Sequence, residues 1–201
     1  MHAAELDRPD VQARRREWQA HAPTLPVASL VFLDESGVTT DLIRRYARSP
    51  RGRRAIDAAP LGHWDACTIL GALRVDGLTA PAVFPGAIDA ESFTVYVRDV
   101  LAPCLRVGDI VVLDNLSVHK VPDARAAIEA VGATIRFLPP YSPDWNPIEQ
   151  LFAKLKAWFR ARRPRSFDAV CAVFAEALPL ITPDECAAYL RHCQYGGPTR
   201  S

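Results

Sequence analysis

Ile110-Val111-Val112-Leu113-Asp114 is a run of four apolar residues closed by an acid. Val and Ile favour a pleated backbone, and a run without polar alternation suits a strand covered on both faces. Leu30-Val31-Phe32-Leu33-Asp34 has the same form. An apolar strand hides its side chains, so an aspartate at its carboxyl end needs a purpose of its own. In open α/β sheets, ligands collect at the carboxyl ends of parallel strands. The two matching runs therefore suggest a fold class and a place to look for chemistry.

Outward from these runs, residues 9 to 20 read as a short charged helix with Pro9 in its first turn. Val27 to Glu35 is a strand. Asp41 to Ala47 and Trp64 to Val75 read as two more, separated by the Pro/Gly/Arg loop at 49–54 and by Pro60 to Gly62, with His63 and Trp64 packing where the third begins. Asp76-Gly77 signals a turn. Asp89 reads as the N-cap of a helix running to about Leu101, with Phe93, Val97, Val100 and Leu101 on one face. Asp109 to Asp114 is a buried strand, Pro122 to Val131 a helix closed by Gly132, and Thr134 to Leu138 a strand. Pro139 to Pro147 is a stiff loop, and Asn146 caps a helix from Pro147 to about Arg162. Two further helices start near Ser166 and Thr182, divided by Pro179.

The order β-β-β-α-β-α-β-α, plus two helices, predicts an α/β fold: a mixed five-stranded sheet with helices on both faces and extra C-terminal helices. The expected organisation is an N-terminal arm over 1–26, a catalytic domain over 27–163, and C-terminal helices over 164–201 packed on that domain.

Composition narrows the class. The chain has 201 residues and a net charge of +1. It lacks the roughly 18 continuous apolar residues of a membrane span, so no membrane is expected among its partners. The segment after Met1 is polar and Arg-rich, unlike a secretory signal. Five cysteines are scattered with no C-x-x-C pair, which disfavours a zinc site or disulfide framework and fits a reduced cytoplasm. Twelve of the 24 Lys and Arg crowd two stretches: Arg44, Arg45, Arg48, Arg51, Arg53 and Arg54, then Lys154, Lys156, Arg160, Arg162, Arg163 and Arg165. Such patches suit a phosphate backbone, although a solvated surface carries the same charges.

A third acid joins the two strand aspartates. Glu149 follows Asp114 with 34 residues between, at the start of an amphipathic helix. Each acid has an ordinary reading. Asp34 before Ser36-Gly37 and Asp114 before Asn115 can each start a turn. Glu149, three residues after Asn146, occupies a capping-box position, as does Glu185 after Thr182. Adjacent strand residues point to opposite faces, so only one of Asp34 and Glu35 can join a site, and Asp34 ends the purely apolar run. Ile148, Leu151, Phe152, Leu155, Trp158 and Phe159 form the apolar face of the helix. Lys156 and Arg160 trail behind Glu149 on another face, which would set phosphate contacts beside the acid. Three carboxylates from separate elements suit Mg²⁺ or Mn²⁺. Two such ions about 4 Å apart can activate an attacking oxygen and stabilise the leaving oxygen of a phosphodiester.

Phe32-Leu33-Asp34-Glu35-Ser36-Gly37, Val112-Leu113-Asp114-Asn115 with His119-Lys120, and Leu138-Pro139-Pro140-Tyr141-Ser142-Pro143-Asp144-Trp145-Asn146-Pro147-Ile148-Glu149 together resemble the DDE transposases of the mariner superfamily, in particular their bacterial insertion-sequence branch. The resemblance runs from about Val27 to Tyr189. It implies a ribonuclease H-like fold, with Asp34, Asp114 and Glu149 as the catalytic and metal-binding triad. It implies Mg²⁺-dependent (or Mn²⁺-dependent) cleavage at transposon ends, then attack of the freed 3′-hydroxyl on target DNA, usually at a TA dinucleotide. Double-stranded DNA is the implied partner, within a homo-oligomeric synaptic complex and, in a bacterium, at the nucleoid. Relatives carry helix-turn-helix modules ahead of this domain. About 26 residues precede the first strand here, too few for such modules, so the resemblance implies a catalytic half alone, either the second frame of a split gene, with an upstream helix-turn-helix protein or fused reading frame as partner, or a truncated copy.

Around the triad, His119 is placed to contact phosphate or support Asp114, with Lys120 beside it, and a plain loop histidine is the other reading. Tyr141 and Trp145 could stack on an exposed base or pack under the Pro-rich loop. Arg51, Arg53, Lys156 and Arg160 complete the expected DNA contacts. Asp144 is aimed elsewhere by the stiff loop. Two other functions compete. Leu30 to Val38 superficially resembles the first motif of haloacid dehalogenase-type phosphatases, but the second acid of that motif is Ser36 here and Glu149 is left unused. A decayed or domesticated transposase would bind DNA or partners without cutting, a reading that an intact triad disfavours.

Overall fold

The computed structural model describes residues 7–43, 48–54, 56, 64–115 and 121–196. One five-stranded sheet organises them, with spatial order β3-β2-β1-β4-β5. Its strands are β1 (Leu30–Thr39), β2 (Ala66–Arg74), β3 (Gly77–Pro85), β4 (Ile110–Leu113) and β5 (Thr134–Phe137). β1 runs parallel to β4, pairing Leu30 with Ile110 and Phe32 with Val112, and β4 runs parallel to β5. β1–β2 and β2–β3 are antiparallel. The sheet is mixed and the α/β expectation holds.

Strand alternation divides the core into two layers. Leu30 and Phe32 of β1 and Val112 of β4 point into one layer. There they meet α4 (Ile148–Arg162), α5 (Phe167–Ala177), α6 (Pro183–His192) and Trp18 of α1 (Pro9–His21). Val31, Leu33, Val111 and Leu113 point into the other, against α2 (Ala90–Tyr96), the turns that follow it, and α3 (Pro122–Ala130). Phe32 is fully buried, and its ring lies 4.8 Å from that of Tyr195. Truncating such a ring to Ala costs about 3–5 kcal/mol. The C-terminal helices thus belong to the same core as the strands. Ser166 and Thr182 cap them as their sequence predicts, each side chain accepting a backbone N–H.

Three expectations need correcting. The strand expected over Asp41–Ala47 is a turn and irregular chain in its described part, 41–43. The missing strand is β3, hidden by Pro81, Pro85 and a left-handed Ala80 (φ 51°) that break strand alternation. It is an edge strand, the place where proline is tolerated. Asp34 does not end β1, which begins at Leu30 and continues to Thr39 because β2 pairs with it through Thr39↔Ala66. Val100 leaves the apolar face. After Tyr96 the helix widens to π geometry over Val97–Leu101, which swings Val100 to 37% exposure while Val97 and Leu101 stay buried.

Candidate active site

Asp34 and Asp114 occupy equivalent places on neighbouring strands. The last parallel pair of the β1–β4 ladder is Phe32↔Val112, and each aspartate lies two residues beyond it. An offset of two preserves the face, so both carboxylates start from the α4 side of the sheet, on strands about 5 Å apart. Glu35 has the opposite parity. β1 continues beside β2 while β4 stops, and the opening between them is where the two acids sit.

Asp34 is 6% exposed and held from two directions. Glu35 donates its backbone N–H to Oδ1 at 2.8 Å, and Asn146 donates its side-chain amide to Oδ2 at 2.7 Å. The second bond corrects a sequence expectation. Asn146 does not cap α4 through its side chain. The helix begins one residue later than predicted, with Pro147 at the cap position and no side-chain cap bond. The amide of Asn146 is thereby released to reach the sheet. No capping box forms, so capping does not account for Glu149, which lies exposed in the first turn of α4.

The Pro-rich loop between β5 and α4 forms the remaining wall. Leu138 donates its N–H to Leu113 O at 2.8 Å, and the Asn115 amide donates to Leu138 O at 2.9 Å, joining the ends of β4 and β5. Arg15 of α1 clamps the loop from outside. It donates to Tyr141 O (3.0 Å), Ser142 Oγ (2.7 Å) and both oxygens of Asp144 (3.0 and 2.7 Å). From behind, the Tyr195 hydroxyl donates to Trp145 O at 2.8 Å and accepts from Trp18 Nε1 at 3.1 Å. Burial pushes the Tyr195 phenol well above its ordinary pKa, so it remains a donor.

Asp34, Asp114 and Glu149 line one cavity of about 470 Å³ with Asn115, Tyr141 and Asn146. Its described wall contains these carboxylates and no Lys or Arg. The three share a cavity without collapsing onto one point. Among the described residues, no three His, Cys, Asp or Glu side chains form a group tight enough to hold an ion directly. A cavity of this charge favours a hydrated divalent cation, since Mg²⁺ takes one or two carboxylates and keeps several waters.

The remaining expected DNA contacts are dispersed. Tyr141 lines the cavity at a left-handed φ of 55°, with 49% of its surface exposed, so its ring is presented. Trp145 is 5% exposed and packs edge-on to Tyr195, so it is a packing residue and unavailable for stacking. Trp64, expected to pack, is 61% exposed. Arg51 and Arg53 lie on an exposed turn away from the cavity wall. Lys156 and Arg160 sit half-buried on α4, also outside that wall. Their patch is partly consumed: Lys154 pairs with Glu185, Arg162 with Glu176, and Arg165 donates to Thr40 O. His63, His119 and Lys120 fall outside the described residues. Asn146 and Arg15 are site residues that sequence reasoning missed. The only local signal was an Asn next to a Pro, which reads equally well as a cap.

Comparison with known proteins agrees with this fold. The chain of a Mos1 transposase paired-end complex with left transposon end superposes with a TM-score of 0.75 at 15% identity, covering 96% of this chain and 62% of that one. A Mos1 strand transfer complex gives 0.74 at 15% identity, covering 96% and 60%. The catalytic domain of Mos1 mariner transposase, solved alone, gives 0.67 at 15% identity, covering 96% and 93%. The protein thus spans about three fifths of the chains in those complexes and nearly all of the isolated catalytic domain. At such identity the likeness establishes the fold, a ribonuclease H-like one as the sequence implied. No curated protein matches in sequence. The profile of the DDE superfamily endonucleases matches residues 29–171, which include all three cavity acids, and the chain belongs to that family.

Proposed function

We propose that this protein is the catalytic domain of a DDE transposase of the mariner superfamily, in the bacterial insertion-sequence branch. It cleaves DNA strands at transposon ends and transfers them into target DNA, with Asp34, Asp114 and Glu149 as the catalytic triad. The observation that carries the reading is one cavity lined by these three acids, brought together from β1, the end of β4 and the first turn of α4. Mg²⁺ or Mn²⁺, when bound, supplies neutralisation of the phosphodiester and activation of the attacking oxygen. Asp34 and Asp114 would hold the hydrated ion from the sheet, and Glu149 would complete the site from α4. Asn146 and the Glu35 N–H hold Asp34 in one orientation. Solved Mos1 paired-end complexes with Mg and with Mn support this choice of ion. In this reading double-stranded DNA is the partner, Tyr141 contacts it at the cavity mouth, and helix-turn-helix modules supply recognition of the ends. No helix among the described residues is long and apolar enough to cross a membrane.

The test is nicking and joining of DNA by the purified chain with and without Mg²⁺ or Mn²⁺. Asp34→Asn, Asp114→Asn and Glu149→Gln should each abolish the reaction and preserve the fold. Full activity in any one of these variants refutes the triad. Metal-independent cleavage refutes the mechanism.

A further inference from the structure

A second, larger cavity of about 880 Å³ adjoins the acidic one, between α1 and the edge strand β5. Asn115, Leu138, Pro139 and Pro140 line both, so the two cavities share a wall. Their charges are opposite. The larger one is lined by Arg14, Arg136 and His21 against one acid, Glu17. The volume lies within the roughly 300–1,000 Å³ of ligand pockets.

The basic wall follows from helix and strand geometry. Arg14, Trp18 and His21 are spaced i, i+4, i+7 and share one face of α1. Arg136 alternates with Ile135 and Phe137, which pack into the layer on the far side of the sheet. Parity therefore turns Arg136 toward α1. Its Nη1 lies 2.6 Å from His21 Nε2. A guanidinium only donates, so in this contact His21 Nε2 is the acceptor. This contact orients Arg136 without cancelling its charge. Among the described residues neither Arg14 nor Arg136 is ion-paired, whereas the next residue, Arg15, is neutralised by Asp144.

We propose that this groove is a second length of the DNA track, with Arg14 and Arg136 gripping the sugar-phosphate backbone of the strand that enters the acidic cavity. The inference rests on the DDE reading above and adds two arginines that the sequence did not single out. A free anion would need only the arginines. Continuity with a carboxylate-lined cavity suits a polymer whose phosphates are held by Arg here and reach the acids one or two nucleotides on. Arg forks match phosphate geometry bidentately.

Anisotropy of a labelled DNA duplex on the full chain, across about 50–200 mM salt, tests this. Arg14→Gln/Arg136→Gln should weaken binding at least tenfold at the low-salt end. It should also flatten the plot of log K against log salt by about two, close to one for each phosphate that is no longer neutralised. The Lys/Lys double variant should keep the wild-type slope. Arg16→Gln, on the opposite face of α1, should change nothing. Should Arg136→Gln prove unstable by thermal melting, Arg14→Gln alone should lower the slope by about one. Unchanged affinity and slope in the Gln variants, or an equal weakening in Arg16→Gln, overturns the groove. The DDE reading stands in that case if the wild type still nicks DNA with Mg²⁺ and Glu149→Gln does not. A wild-type chain that neither binds nor cuts DNA overturns both.

Discussion

Asn146 donates its side-chain amide to Asp34 Oδ2 across 2.7 Å, although 112 positions separate the two residues. Both are buried, at 5% and 6% exposure. The bond links the loop before α4 to β1, so the element that carries Glu149 is tied to the carboxylate opposite it. Residues that orient a metal ligand typically contribute 10–100-fold in metal affinity or activity. Asn146→Ala should therefore lower strand cleavage by about 10–100-fold and raise the Mg²⁺ concentration needed for half-maximal rate. Asn146→Asp should do worse, because it sets a second acid against Asp34 and favours protonation of one of them. Rates measured across a Mg²⁺ titration distinguish weakened affinity, which excess metal rescues, from disturbed geometry, which it does not.

Glu149 separates chemistry from capping. With no side-chain cap on α4, its remaining structural contribution is that of an exposed acid in a first turn, about 0.3–1 kcal/mol through the helix dipole. Glu149→Gln should lower the unfolding free energy by no more than about that amount and still eliminate strand cleavage. Urea denaturation and a nicking assay on the same preparation check both halves. A large loss of stability with cleavage retained would return Glu149 to a structural role.

Arg15 stabilises the cavity wall from outside the sheet. It makes hydrogen bonds to Tyr141 O, Ser142 Oγ and the carboxylate of Asp144. The Asp144 contact is half in solvent, with that side chain 55% exposed, and an exposed pair contributes only about 0–1 kcal/mol. Asp144→Asn should consequently be mild. Arg15→Ala removes all of these bonds at once and leaves the buried Ser142 hydroxyl without its donor, so it should be worse by about 1–2 kcal/mol. Arg15→Lys should not restore it, since an ammonium cannot form the same fork. Hydrogen exchange over residues 139–147 should accelerate in Arg15→Ala well before the helices lose protection.

The parts of this site that sequence could show are those governed by local rules. Asp34 and Asp114 stood out because an apolar strand ending in acid breaks its own pattern, and strand parity chose Asp34, which lines the cavity, over Glu35, which is not in its wall. Helix α4 was legible from its 3.6-residue periodicity, and α5 and α6 from the caps Ser166 and Thr182. What remained hidden depends on tertiary contact. β3 carries Pro81 and Pro85, tolerable only because it lies at the sheet edge, and edge position is not written locally. β1 continues past Asp34 because β2 pairs with it, which Ser36-Gly37 alone would not suggest. Trp145 looked available for a base until Tyr195, 50 residues on, covered it. The partnership of Asn146 with Asp34 depends on a one-residue shift in helix start, smaller than sequence patterns can define.

The pair Arg74–Asp109 gives the fold a pH dependence remote from the site. Each side chain is 4% exposed, and the two form hydrogen bonds of 2.6 and 3.0 Å between the end of β2 and the residue before β4. Burial pushes the Asp109 carboxyl up. The Arg74 guanidinium and the Arg106 backbone N–H pull it down further, and the net pKa lies below the ordinary carboxylate value. A carboxyl depressed in the folded state releases its proton more readily there than in the unfolded chain. Its stabilisation is thus complete above the unfolded pKa of about 3.9 and is lost as pH falls through the folded value. Urea midpoints of the wild type should fall as pH drops below about 4. Asp109→Asn should remove this component of the acid sensitivity. It should also destabilise the protein at neutral pH, by up to about 3–5 kcal/mol, because it leaves the buried guanidinium with only the exposed Asp76, 3.8 Å away, as counter-charge. Replacing both residues with apolar ones, Arg74→Met with Asp109→Leu, should recover much of that loss, since such exchanges at buried pairs are often neutral or stabilising. An unaltered acid slope in Asp109→Asn would assign the pH dependence to other carboxyls.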